Sequence, residues 1–278
     1  MHLNFHGISV PRILWLGVLV TALLCVLAVA ASFGAKQVVV VRHDLRASAD
    51  LQPIRLVQIS DLHLKAFGVH EQGLAAQLIA LAPDVVVLSG DAVDRADALP
   101  ILQSFVRAFA PVPVLLVPGN WEHWSGLDFL GLQSTLASSG GQLLLNERWT
   151  FSRGGRSLVV MGLDDDTAGQ PDLQLLDTRA PSKDALTVLV QHSPAFFDKA
   201  DVAKRMANQR FDLCLAGHTH GGQFSLGGWA PIRPTGSGRF VAGFYDVAGC
   251  PLFVSRGAGT SVLPIRLGAQ AEVVVFDL

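Results

Sequence analysis

The chain has 278 residues, 50% of them hydrophobic and 16% charged, enough to bury a sizeable core, which excludes a disordered or fibrous protein. With 21 Lys+Arg against 23 Asp+Glu, the formal net charge of -2 provides no global basic field for phosphates and argues against nucleic acid as the main partner. Cys25, Cys214 and Cys250 lack the number and spacing of a disulfide scaffold or zinc-thiolate site. The pairing of Cys214 with Cys250 stays open.

The mean hydropathy of +0.40 has much of its source at the N-terminus, where residues 13–35 carry no charge. At about 1.5 Å per residue such a stretch crosses a hydrocarbon core of roughly 30 Å. Ala28-Val29-Ala30-Ala31 offers the small residues of a signal cleavage site. The run is long for that role, so a retained anchor over 1–35 and a single-pass membrane protein are expected. Leu23 and Leu24 are too bulky for lipoprotein processing at Cys25. Arg12 on one side competes with Lys36, Arg42 and Arg46 on the other, and an outward-facing domain is expected.

Residues 36–278 read as one domain. Short apolar runs at Ile54–Ser60, Val85–Ser89, Val114–Val117, Leu158–Met161, Leu186–Val190 and Phe211–Ala216 predict strands buried on both faces. Glu71–Leu81, Leu99–Phe109 and Leu127–Ala137 carry apolar residues at helical spacing, and Leu252–Ser255 and Glu272–Phe276 predict further strands. The alternation predicts a layered α/β fold.

Each early apolar run ends in groups that bind hard or borderline metal ions. Asp61-Leu62-His63 follows the first, Gly90-Asp91-Ala92-Val93-Asp94 the second, and Gly119-Asn120-Trp121-Glu122-His123 the third. Gln191-His192-Ser193 and Gly217-His218-Thr219-His220 come later. In an open α/β sheet the carboxyl ends of parallel strands share one edge, so these groups converge. Extended backbone would point Asp61 and His63 to one side, and likewise His218 and His220. Asp91 can bridge two divalent ions while imidazoles and the Asn120 amide oxygen complete the shells. Two such ions clamp a phosphoryl oxygen and activate hydroxide for in-line attack.

Singly, a D-x-H or G-D is an ordinary turn; together the five motifs hold five of the nine histidines, which chance placement explains poorly. His2, His6, His43 and His70 receive no role. Asp164-Asp165-Asp166 reads as an acidic surface turn after a strand, the alternative being that it lines the site. Trp121, Trp124 and Trp229 read as packing or as an apolar wall for a lipidic substrate.

The order D-x-H, G-D-x-x-D, G-N-x-E, H, G-H-T-H, at Asp61, Asp91, Asn120, His192 and His218, resembles the calcineurin-like metallophosphoesterases. Gly217–Gln223, Val254–Gly259, Pro264-Ile265-Arg266 and the apolar N-terminus are similar to their bacterial membrane-associated branch. The resemblance implies an α/β/β/α sandwich with a dinuclear site. Asp61, His63 and His220 would hold one ion and Asn120, His192 and His218 the other, with Asp91 bridging; Asp94 would orient a ligand by hydrogen bonding. The metals would be manganese, iron, zinc or nickel, and the substrate a phosphorylated small molecule or lipid carrying a phosphomonoester, phosphodiester or pyrophosphate. Alternatives are a UDP-diacylglucosamine-type pyrophosphatase of lipid A synthesis and a non-catalytic metal-binding envelope protein. Most members place a histidine after the Asn of the third motif. This chain has Trp121, whose indole transfers no proton at neutral pH, so either Glu122 or His123 substitutes or the substrate has a leaving group that needs little protonation, such as a pyrophosphate or an activated phosphodiester.

Overall fold

The computed structural model describes residues 37–278 apart from 49, 179–181, 183 and 226–228, together with Trp15, Gly17, Val18, Val20 and Thr21. Apart from those five positions, the expected membrane span over 13–35 lies outside the described residues. Among the described residues no helix is long and apolar enough to cross a membrane, and on that finding the expected single-pass, outward-facing placement is corrected.

The strands run in chain order β1 (Val39–Asp44), β2 (Arg55–Ile59), β3 (Val85–Ser89), β4 (Val114–Val117), β5 (Gly141–Leu143), β6 (Glu147–Arg153), β7 (Arg156–Gly162), β8 (Leu186–Val190), β9 (Leu213–Ala216), β10 (Gly243–Val247), β11 (Cys250–Val254) and β12 (Glu272–Asp277). They form two six-stranded mixed sheets, ordered β1-β12-β2-β3-β4-β5 and β10-β11-β9-β8-β7-β6. β2 to β5 are parallel in the first sheet, and β7, β8, β9 and β11 in the second. β12 opposes β2, while β6 and β10 are antiparallel edges of the second sheet.

Alternation along each strand divides the core into layers. Val85 and Val87 of β3 face the second sheet, where they meet a cluster containing Val160, Val188 and Leu215. Val86 and Leu88 point the other way, into a cluster with Leu78, Phe105 and Leu136 from the helices Val69–Ile79, Leu99–Arg107 and Phe129–Ala137. On the far side, Met161 and Leu189 pack with Val202 and Met206 of the helix Ala200–Met206. Each fully buried Val or Leu contributes about 1.5–3 kcal/mol, so the continuous apolar runs place both sheets inside and the helices outside.

Three helices and eight strands fall where the sequence predicts them, with ends moved by no more than two residues. The third helix starts at Phe129 rather than Leu127 because the Asp128 carboxylate caps it, accepting from Leu130 N and Gly131 N at 3.1 Å each. β1, β5, β6, β10 and the helix Ala200–Met206 were not predicted. Cys214 and Cys250 form a disulfide between the adjacent strands β9 and β11.

Candidate metal centre

Five loops meet where the parallel strands end, three from the first sheet and two from the second. They bring together Asp61, His63, Asp91, Asn120, His192, His218 and His220, all buried. The route is not the extended backbone expected. Asp61, His63, Asp91, His218 and His220 have φ of 53°, 46°, 54°, 69° and 51°, a left-handed region that side-chain-bearing residues occupy only when their surroundings hold them. Interloop bonds do the holding. Asp61 N donates to Gly90 O and His63 N to Asp91 O, both at 3.0 Å, and His218 N donates to both Asp61 carboxylate oxygens at 3.1 Å.

The ligand-capable atoms of Asp61, His63 and His220 all lie within 4.8 Å of one another, as do those of Asp91, His192 and His218. Asp91 Oδ2 stands between the groups, 3.1 Å from His192 Nε2 and 3.9 Å from His63 Nε2. Asp61 Oδ1 is 3.5 Å from His220 Nε2 and 4.0 Å from His192 Nε2.

Outer partners fix which ring nitrogen faces the centre. His192 Nδ1 donates to Ser89 O at 2.8 Å and His218 Nε2 to Thr235 O at 2.7 Å; a carbonyl only accepts, so the opposite nitrogen of each ring is left for the centre. Asp94 accepts from His63 Nδ1, which turns His63 Nε2 inward.

Charge is unevenly distributed. Burial opposes protonation of His192 and His63, yet the Asp91 carboxylate in the first case and the Asp94 hydrogen bond in the second outweigh it and raise both above the usual histidine range. Burial lowers His218, reinforced by neighbouring His192, and lowers His220 strongly, reinforced by His63 and Arg266. Burial pushes Asp91 up, but His192 overrides it and the net direction is down.

The donor set fits divalent ions. Asn120 Oδ1 is a buried atom without a hydrogen-bond partner, a costly state unless an ion completes it, and His192 Nε2 has only the Asp91 carboxylate at 3.1 Å. The glycines leave room for these groups: a Cβ at Gly90, where φ is 95°, would collide with the His192 ring, and one at Gly119 with the Asp91 carboxylate.

Neither expected substitute for the missing acid lines the cavity above the centre. The Glu122 carboxylate accepts from the backbone N–H groups of Asp91, Ala92, Val93 and Gly119 at 2.7–3.2 Å, tying the β3 loop to the β4 loop. Burial raises its pKa, with the Asp91 charge adding to the effect. His123 is half-buried against Phe129, with Nε2 2.6 Å from Asp164 Oδ1. Asp164 and Asp165 are buried rather than a surface turn; Asp164 also accepts from Gln170 N, and Asp165 accepts from Ser193 Oγ. Each is the hub of a loop, which a run of three acids does not reveal.

Arg266 is a site neighbour missed from the sequence. Its guanidinium is buried, with its pKa lowered to about 10 by burial; it donates to the carbonyls of Gly259, Arg256 and Ala269 and lies 3.3 Å from His220 Nδ1. Only its place in the Pro264-Ile265-Arg266 run drew notice. His43 packs among Phe244, Phe253 and Phe276, away from the centre, and His2 and His6 lie outside the described residues.

A cavity of about 390 Å³ opens above the centre, with Asp91, Asn120, His218 and His220 exposed to it and Trp121 and Trp124 on one side.

The sequence profile of the calcineurin-like phosphoesterases matches residues 54–222, the segment that carries every loop of this centre. The chain is 29% identical over 233 residues to the uncharacterized metallophosphoesterase YkuE of Bacillus subtilis, covering 81% of this chain and 78% of that protein. It is 28% identical over 250 residues to the phosphodiesterase YaeI of Escherichia coli, covering 86% and 87%. With more than half of the chain matched and two candidate metal sites at the sheet edge, the protein is a phosphoester hydrolase and belongs to the calcineurin-like phosphoesterase family.

Proposed function

We propose that the protein hydrolyses a phosphomonoester, phosphodiester or pyrophosphate bond at this centre. In this reading Asp61, His63 and His220 hold one divalent ion, Asn120, His192 and His218 a second, and Asp91 reaches both. Bound there, two divalent ions supply positive charge to a phosphoryl group and acidify water. The chain contributes the rest: Asp94, Ser89 O and Thr235 O hold three imidazoles in orientation, and Glu122 holds the two loops bearing Asp91 and Asn120 in register. The carrying observation is the pair of three-residue clusters that Asp91 adjoins, with the buried Asn120 Oδ1 left without a hydrogen-bond partner beside them.

The Trp121 indole stands at the cavity where an imidazole is usual, and its backbone N–H donates to Asp91 Oδ1 at 2.9 Å. Glu122 and His123 are engaged elsewhere, so in this reading the leaving oxygen takes its proton from solvent and substrates with good leaving groups are favoured.

Metal analysis of the purified chain, with turnover of an aryl phosphodiester, tests the proposal. Wild type should bind two equivalents and turn over; Asp91→Ala should lose metal and at least about 100-fold in kcat, because neither shell closes. Two equivalents and near-normal turnover in that variant would overturn the assignment.

A further inference from the structure

The cavity above the centre is poor in charge for a site that handles phosphate. Its walls are Trp121, Trp124, Pro234 and Val262, with the neutral hydroxyls of Thr167, Thr235 and Ser261, and among the described residues no lysine or arginine lines it, Lys65 touching it only from outside through Ser261 O. The neighbouring cations are turned to other tasks. Lys65 Nζ donates to Ser261 O at 3.3 Å, Arg256 pairs with Glu272, and Arg266 is buried behind His220. Arg233, beside Pro234 in sequence, is exposed and does not line the cavity.

The mouth is apolar as well. Trp124 is 59% exposed and Val262 76%, and the segments that lead into the walls carry Trp229 at 67%, Ile232 at 72% and Leu263 at 50%. Exposed apolar side chains that line an opening, as Trp124 and Val262 do, differ from scattered surface apolar residues and mark binding surfaces. A second or third phosphoryl group needs cationic or N–H donors, which these walls do not offer. An alkyl chain or aromatic ring gains from Trp and Val contact, roughly fourfold in affinity for each CH₂ removed from water.

We infer that the site selects esters of a single phosphoryl group with an uncharged apolar alcohol, alkyl or aryl, over nucleotides and pyrophosphates, and that Trp124 and Val262 are specificity-determining residues. The inference rests on the phosphoesterase reading of the centre and adds the substrate class. The occupant of the apolar mouth is the alcohol portion of the substrate, because the mouth is continuous with the cavity that exposes the metal-ligating groups.

The test uses the full chain loaded with manganese and the methyl, butyl and octyl esters of 4-nitrophenyl phosphate, which share a leaving group. The specificity constant kcat/KM should rise at least about tenfold from methyl to butyl, and Trp124→Ala and Val262→Ser should each shrink the butyl-to-methyl ratio at least about threefold. UDP-glucose, with two phosphoryl groups, should compete at least tenfold more weakly than butyl phosphate. The octyl ester, assayed as monomer and in phosphatidylcholine vesicles, separates a soluble ester from a lipid; a gain in either form supports the selection.

A flat series, stronger competition by UDP-glucose, or variants that lower all esters equally would overturn it. If no ester is hydrolysed with any metal, the phosphoesterase reading fails, and tryptophan fluorescence still decides the selection. Octyl phosphate should bind at least tenfold more tightly than methyl phosphate to wild type and not to Trp124→Ala. Trp124 is exposed, so alanine there leaves the fold intact.

Discussion

Two residues on the short helix Asn120–Trp124 separate positioning from proton transfer. Glu122 accepts four backbone N–H bonds in a fully buried place, and leaving a buried donor unpaired costs about 1–3 kcal/mol. Glu122→Ala should therefore destabilise the fold by more than about 3 kcal/mol in urea unfolding and lower metal content, with the dependence of rate on leaving-group pKa unchanged. A steeper dependence at normal metal content would instead make Glu122 the acid. Trp121 lies on the cavity side of the same turn. A positioned acid contributes about 10²–10⁴-fold, so Trp121→His should speed esters with poor leaving groups far more than activated ones and leave metal content unchanged. Equal effects on both kinds of ester would show that protonation is not what the tryptophan lacks.

At the scale of elements, legibility follows burial. β3, with all five residues buried, reads as one apolar run, whereas β6 lies on an antiparallel edge, exposes most of its residues and offers only the short alternation around Trp149 and Phe151. β5 is only three residues long and is a strand because it pairs in parallel with β4 at the sheet edge. The candidate ligands were legible because each group of them follows a readable strand. Their supports were not: Ser89 O and Thr235 O are backbone atoms without sequence identity, and Thr235 belongs to a loop that only the tertiary fold carries to His218. The loop closing β3 shows how the element constrains the site. Gly90 combines a φ of 95° with contact against the His192 ring, so Gly90→Ala has neither backbone nor space. Its expected result is a folded protein holding less than two metal equivalents, with at least about tenfold lower turnover; full metal content and activity would show that the loop can give way.

Across the whole molecule, the two sheets are joined at the metal edge by side chains as well as by the apolar layer between them. His123 follows β4 of the first sheet, Asp164 follows β7 of the second, and their 2.6 Å contact spans the seam beside the centre. The Asp164 hydrogen bond raises His123 above the usual histidine range despite the opposing burial. Burial raises Asp164, but the His123 bond and backbone donors including Gln170 N outweigh it and hold its carboxyl below the usual range. A raised folded pKa stabilises fully below the unfolded histidine value of about 6.5, and that stability is lost as pH rises through the folded value. A lowered carboxyl stabilises above its unfolded value of about 3.9, and that part is lost as pH falls through the folded value. The pair therefore contributes most between about pH 4 and 6.5, and its histidine part fades toward alkaline pH. In urea unfolding of metal-saturated protein, His123→Gln should cost more at pH 5.5 than at pH 8.5, and Asp164→Asn should reduce the same pH dependence. Metal saturation keeps His63 and His192 from titrating in the comparison. Parallel pH profiles for wild type and His123→Gln would mean that the apolar layer alone holds the sheets together at this edge.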